Sequence, residues 1–116
     1  MVATSKPTPF AEDIVDGHLL RPYFADVVGS ELDGRRAAKH EVLQAAADRL
    51  GDLDPTRAVM VGDTAADVEA AHRLGCASVA VHWGYGHWEA TLRERPTVTV
   101  DRVAELAHLL MATPVV

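Results

Sequence analysis

Apolar residues in this chain fall by turns into short unbroken runs and into stripes spaced three and four apart. Val2 to Thr4 is a short β-leaning run that ends at Ser5-Lys6-Pro7. From Pro9 to His18, the residues Phe10, Ile14, Val15 and Leu19 recur at helical spacing. Thr8 is placed to cap that helix, with Pro9 at its first position. Phe24 to Val28 is a second run, stopped by Gly29, and Ser30 to Arg36 reads as a polar loop. Arg36 to Leu50 is the clearest helix. Val42, Leu43, Ala46 and Leu50 make one face, and Gly51 ends it. Ala58-Val59-Met60-Val61 is apolar on both faces, the pattern of a buried parallel strand. Ala65 to Leu74 returns to helical spacing through Val68, Ala71 and His72, with Gly75 as terminator. Ala77 to Val81 is another buried strand, and Trp83 to Gly86 a stiff loop. Thr97 to Val100 is a further strand, nearer an edge. Val103 to Met111 is the last helix, carrying Leu106, Leu109 and Leu110, and Pro114 closes the chain.

Strands alternating with helices predict an α/β fold: a three-layer, Rossmann-like parallel sheet in one domain from 1 to 116. Crossovers in such a sheet are right-handed, and ligands sit at the carboxyl ends of its strands. The chain has no evident repeat and no low-complexity tract.

Composition narrows the picture. Apolar residues make up 48% of the 116, and Gly plus Pro number only 14 (8 + 6), which excludes a disordered chain. The formal charge of −6 disfavours a nucleic-acid polymer as partner, because that needs a positive surface field. The single cysteine, Cys76, excludes an internal disulfide and any multi-cysteine metal site, and reads as a small buried filler. No segment reaches the ~20 apolar residues that cross a bilayer. Met1 to Pro9 has no apolar stretch of signal type, so no membrane association and a cytoplasmic location are expected.

Functional residues are expected at the carboxyl ends of the strands. Thr4-Ser5-Lys6 comes after the first. Gly62-Asp63-Thr64-Ala65-Ala66-Asp67 comes after the 58–61 run, and Lys39 stands before the main helix. These two carboxylates, two hydroxyls and ammonium groups are expected near one rim. An Asp at a strand end can hold Mg²⁺, and Asp67, four residues on, is one helical turn from it. A hydroxyl, an amide N–H and a lysine can bind a phosphoryl group and neutralise its charge. The set therefore reads as a metal-assisted phosphoryl site. Each residue also has a plainer reading. Asp63 can cap the following helix, Asp67 can be a first-turn acid, Thr4 and Ser5 can form an ordinary turn, and Lys39 can be a solvated helix residue. The six histidines form no tight metal pattern. His82 stands out because it comes after a strand and borders the Trp83 loop, where Trp83, Tyr85 and Trp88 either line a substrate mouth or pack in the core.

These residues, in this order, resemble the haloacid dehalogenase (HAD) superfamily, in its phosphoglycolate-phosphatase-like branch. The matching segments are Ala3-Thr4-Ser5-Lys6-Pro7, Val28-Gly29 through Lys39, Val61-Gly62-Asp63-Thr64-Ala65-Ala66-Asp67, and Val81-His82-Trp83-Gly84-Tyr85-Gly86. Gly29-Ser30-x-x-Asp33-Gly34-x-Arg36 is similar to a subgroup of phosphoglycolate phosphatases or 5′-nucleotidases. The resemblance implies Mg²⁺ as cofactor and a small phosphomonoester as substrate. It implies that Thr4 and the Ser5 amide bind phosphate, and that Lys39 neutralises the phosphoryl group and the nucleophile. Asp63 would be the metal ligand, and Asp67 would orient Lys39 or metal-bound water.

One motif of that family is not carried on any predicted strand of this chain. Its nucleophile lies in Asp-x-Asp-x-Thr on a central strand, where it forms an aspartyl phosphate. Asp52-Leu53-Asp54 runs into Pro55 with no apolar strand before it and is rejected. The helical cap of the family is absent. The resemblance thus implies an incomplete core, the second half of a phosphatase that is inactive alone, with Met1 internal to a longer protein or the nucleophile supplied separately. Without the central strand, the strands ending at Thr4 and Gly62 either pair directly or leave an open edge for self-association or a complementing N-terminal chain. The alternative is a non-catalytic module that binds phosphate or Mg²⁺, or that oligomerises. A phosphoacceptor role for Asp63 is a third reading.

Overall fold

In the computed structural model, which describes residues 1–112, neighbouring valines point to opposite faces of a sheet and collect a helix on each. The elements run β1 (Val2–Pro7), α1 (Thr8–Gly17), β2 (Val27–Ser30), α2 (Lys39–Arg49), β3 (Val59–Gly62), α3 (Ala65–Leu74), β4 (Ala77–Val81), α4 (Trp88–Arg93), β5 (Val98–Val100) and α5 (Val103–Ala112). Single 3-10 turns lie at Arg21–Tyr23 and Pro55–Arg57. All strand pairs are parallel. The predicted α/β, Rossmann-like layering is the fold. No described helix is long and apolar enough to cross a membrane. The prediction that Pro114 closes the chain lies outside the described residues. The chain separates into two compact units, Met1–Asp54 and Pro55–Val116.

In the first unit, β1 pairs with β2 alone. Val27 packs with Ala11 and Val15 of α1, while its neighbour Val28 packs with Val42 and Ala46 of α2. Two sequence expectations for α1 fail here. Of the expected stripe Val15 is buried, together with Ala11, while Phe10, Ile14 and Leu19 are exposed. Small Ala11 lets the helix lie close to Val27, so the bulkier stripe turns outward. Thr8 does not cap α1, because Pro7 holds that position without a side-chain bond. Leu50 likewise lies outside the core face of α2, where Ala47 is buried instead.

The second unit has the strand order β3-β4-β5. Val79, Val81 and Val100 meet Leu106 and Leu109 of α5 on one face. Ser78 and Ala80 alternate onto the other, where α3 packs against β3 and β4. Ser78 N–H donates to Thr97 Oγ1 (3.0 Å) and Thr97 N–H donates to Ser78 Oγ (3.1 Å), which fixes the start of β5. The 58–61 run is a strand, but it is not buried. Val61 pairs in register with Val79, yet α5 covers only the β4–β5 end of that face, and Val59 and Val61 stay exposed. Among the described residues β3 is bonded to β4 alone, so its other edge carries no ladder.

Candidate functional site

Thr4, Ser5 and Lys6 sit on a bulge. Ala3 pairs with Val28 and Pro7 with Ser30, so three residues of β1 lie opposite Gly29 alone. β1 thus runs on past Thr4, where the sequence places its end. Bulges re-aim a strand end and are common beside functional sites. Gly29 makes this one possible, since a Cβ there would overlap the Lys6 carbonyl and lie 2.8 Å from Thr8 N. Side chains then satisfy the backbone groups that the ladder releases. Lys6 N–H donates to Thr4 Oγ1 (3.2 Å), and Ser30 Oγ donates to the Ser5 carbonyl (2.8 Å). Thr8 Oγ1 accepts from Gly29 N–H (2.9 Å) and donates to the Ser30 carbonyl (3.3 Å). Lys39, the first residue of α2, reaches the same place, and its ammonium donates to the Ala3 carbonyl (2.9 Å). Within the first unit, Lys39 thus bonds the residue that precedes Thr4, at the start of the bulge, and Ser5 is exposed.

In the second unit Asp63 and Asp67 share one turn but hold different partners. Thr64 caps α3, so the reading of Asp63 as the cap is wrong. Asp67 closes a capping box. Its Oδ2 accepts from Thr64 N–H (3.1 Å), from Thr64 Oγ1–H (2.9 Å) and from Asp63 N–H (3.1 Å). The carboxylate is 5% exposed and has acceptors only, so these donors are what allow its burial. The first-turn-acid reading of Asp67 therefore holds. Gly62 gives it room, because a Cβ there would overlap the Asp67 carboxylate.

Asp63 faces the loop after β4. Its Oδ2 accepts from Tyr85 N–H (2.8 Å) and Gly86 N–H (3.2 Å). Bonds from amides to an ionised acceptor are among the stronger ones and fix the carboxylate plane. Oδ1 is left as a hard oxygen donor. Among the described residues no three His, Cys, Asp or Glu side chains converge as a metal cluster.

Several of these contacts escape a reading of the sequence. Thr8, Ser30 and Thr91 act as hydrogen-bonding struts. Thr91 is fully buried, and its one Oγ1 proton is shared between the carbonyls of His87 (3.0 Å) and Asp63 (3.3 Å). The Gly84-Tyr85-Gly86 spacing is the one visible signal for the Asp63 cradle. Of the aromatic residues in that loop, Tyr85 is fully exposed and Trp83 partly so, so neither packs in the core. Trp88 stacks on His82.

The chain is similar to known proteins in sequence and in fold. The model of the HAD-hydrolase-like family matches residues 35–106, well over half of the chain. The chain belongs to this family. It is 30% identical over 112 residues to phosphoglycolate phosphatase of Vibrio vulnificus, covering 97% of this chain and 49% of that protein. Among solved structures, it is similar to a predicted phosphatase from Clostridium acetobutylicum, with 34% identity and a TM-score of 0.91 over 97% of this chain and 51% of that one. It is also similar to Protein Tyrosine Kinase A of Mycobacterium tuberculosis, with 35% identity and a TM-score of 0.75 over 94% of this chain and 51% of that one. This HAD-like chain thus spans about half the length of the relatives it matches.

Proposed function

We propose that this chain supplies the phosphoryl-binding and metal-binding half of a Mg²⁺-dependent phosphomonoesterase. Its substrate would be a small phosphomonoester of the phosphoglycolate or nucleoside-monophosphate kind. The observation that carries the proposal is the setting of Asp63. It stands at the carboxyl end of a parallel strand, held by two backbone amides, with one oxygen left to ligate. The phosphoglycolate phosphatases among the relatives support the substrate class.

In this reading Asp63 Oδ1 holds Mg²⁺, and Asp67 fixes the turn that presents Asp63. Bound Mg²⁺ would supply charge neutralisation for phosphate oxygens. Lys39 supplies a positive charge toward a phosphoryl oxygen, while the Thr4 hydroxyl and the Ser5 amide donate to others. The 116 residues spell Asp-x-Asp-x-Thr once, at Asp52-Leu53-Asp54-Pro55-Thr56, which lies between α2 and β3 and not at the carboxyl end of a strand, so in this reading the nucleophile comes from outside them. The open edge of β3, with Val59 and Val61 exposed beside it, is a surface for an added strand.

Titration of the chain with MgCl₂ and inorganic phosphate, monitored by calorimetry, tests the binding half of the proposal. Wild type should bind both, and Asp63→Asn should lose Mg²⁺. A folded wild-type chain that binds neither overturns it. Adding a polypeptide that bears Asp-x-Asp-x-Thr tests the catalytic half. Release of phosphate from a phosphomonoester is expected, and a folded, inert complex refutes it. The likeness to a protein named as a kinase makes phosphoryl transfer to a tyrosine peptide the control reaction.

A further inference from the structure

We propose that His82 is a positioning residue for Asp63: its ring, clamped between Asp101 and Trp88, closes the neck of the loop whose amides hold the Asp63 carboxylate. The functional weight of this inference rests on Asp63 being the Mg²⁺ ligand, while its geometry stands independently.

The loop from His82 to Trp88 is fastened at both stems and touches Asp63 at its tip. At the first stem, His82 N–H donates to the Val100 carbonyl (3.0 Å) and carries the β4–β5 ladder one residue past the strand. The imidazole Nδ1 lies 3.1 Å from Asp101 Oδ1. A carboxylate accepts only, so Nδ1 bears the proton in this bond. The ring then lies flat on Trp88, with centroids 4.2 Å apart and planes 19° off parallel. Trp88 opens α4, the second stem, and Thr91 of that helix is buried against the Asp63 carbonyl. Between the stems, Tyr85 and Gly86 point their amides at Asp63 Oδ2.

The His82 ring is half exposed and fills no core space. Its exposed pairing with Asp101 alone holds little. Its effect comes from combination, since Asp101 sets the plane of the ring on which Trp88 stacks, and the stack sets the distance between the stems. A loop held at one stem only would let the Tyr85 and Gly86 amides leave Asp63. Partners behind a metal ligand commonly change metal affinity about tenfold or more when removed.

The test compares ¹H–¹⁵N spectra and Mg²⁺ titrations of the full chain for wild type, His82→Ala, His82→Phe and Asp101→Asn. In His82→Ala the Tyr85 and Gly86 amide resonances should move toward unbonded values, with those of Asp67 and Ser78 in place, and Mg²⁺ should bind about tenfold more weakly. His82→Phe keeps the stack and Asp101→Asn keeps the ring, so both should shift the same two amides by less. Unmoved Tyr85 and Gly86 amides in His82→Ala overturn the proposal. If that variant unfolds, unmoved amides in both milder variants overturn it. If wild type binds no Mg²⁺ but the two amides still respond to His82, the metal reading of Asp63 falls and the positioning role stands. If Asp63→Asn abolishes Mg²⁺ binding while the His82 variants move neither amide, the reverse holds.

Discussion

Gly86 stands so close to the Asp63 carbonyl that no side chain fits between them. A Cβ at residue 86 would overlap that oxygen and lie 2.8 Å from the carbonyl carbon and 3.1 Å from Thr64 Cα. All three are backbone atoms and cannot rotate away. The approach is what lets Gly86 N–H reach Asp63 Oδ2. Gly86→Ala should therefore lose about 1–3 kcal/mol of stability by overpacking, read as a lower urea midpoint at unchanged slope. An unchanged midpoint would disprove the close approach.

Gly84→Ala probes the same cradle from the side. Its Cβ would collide with the Asp63 side chain; the carboxylate can rotate away, but Asp63 Cβ is fixed by the backbone. The carboxylate should swing off the Tyr85 and Gly86 amides, at a stability cost of about 1–3 kcal/mol, comparable with Gly86→Ala, because the backbone must also shift. Mg²⁺ affinity should fall more than stability does. Parallel urea and Mg²⁺ titrations of the two variants check the order, and a Gly84→Ala chain that binds as wild type contradicts it.

At the start of α3 the two halves of the capping box should separate by size. Thr64→Ala removes an N-cap, which costs about 1 kcal/mol. Asp67→Ala strands the Asp63 and Thr64 amides and the Thr64 hydroxyl, each bonded to an ionised oxygen, so about 2–3 kcal/mol is expected. Because Thr64 and Asp67 bond each other, the double variant should lose less than the sum of the two. Strict additivity in chemical denaturation would show that the box is not coupled.

Thr8 is the corresponding strut of the first unit. Thr8→Val keeps the shape but leaves Gly29 N–H without its acceptor beside the bulge. A loss of about 1–3 kcal/mol is expected, and Thr8→Ser, which retains the oxygen, should recover most of it. Equal midpoints for the valine and serine variants would remove the hydroxyl from the account.

How far these features were legible depends on how local their causes are. α3 begins and ends where the sequence places it, because the stripe through Val68 and Ala71 and the left-handed Gly75 are all within the helix or next to it. β4 is buried as expected, between β3 and β5 with α3 packed against it and Leu106 and Leu109 of α5 on its valines. The α1 stripe misleads for a different reason. The expected stripe joins Val15 to Phe10, Ile14 and Leu19, and Val27, distant in sequence, selects Val15 with Ala11. Nothing in Thr4-Ser5-Lys6 announces a bulge, since its cause is the missing side chain at Gly29. α4 is six residues long, too short for a period to show. Among the candidate site residues, the Asp67 role is local and readable. The amides that set Asp63 come from 22 and 23 residues downstream, where only the paired glycines leave a trace.

Cys76 offers a pH-dependent check on the core of the second unit. Its thiol is buried after Gly75. Desolvation pushes its pKa above the ordinary 9.0, against a weaker opposing pull from backbone hydrogen bonds. Folding therefore favours the protonated thiol. The resulting stability is fully present below 9.0 and is lost as pH rises through the higher folded value. Alkylation by iodoacetamide below 9.0 should be much slower in the folded chain than in urea, because the thiolate is the reactive form. Across the range above 9.0, wild type should lose more stability than Cys76→Ala, the difference isolating this thiol from the lysines and tyrosines that titrate nearby. Rapid alkylation of the folded chain, or parallel pH profiles for the two proteins, would show that Cys76 is not desolvated by the packing around it.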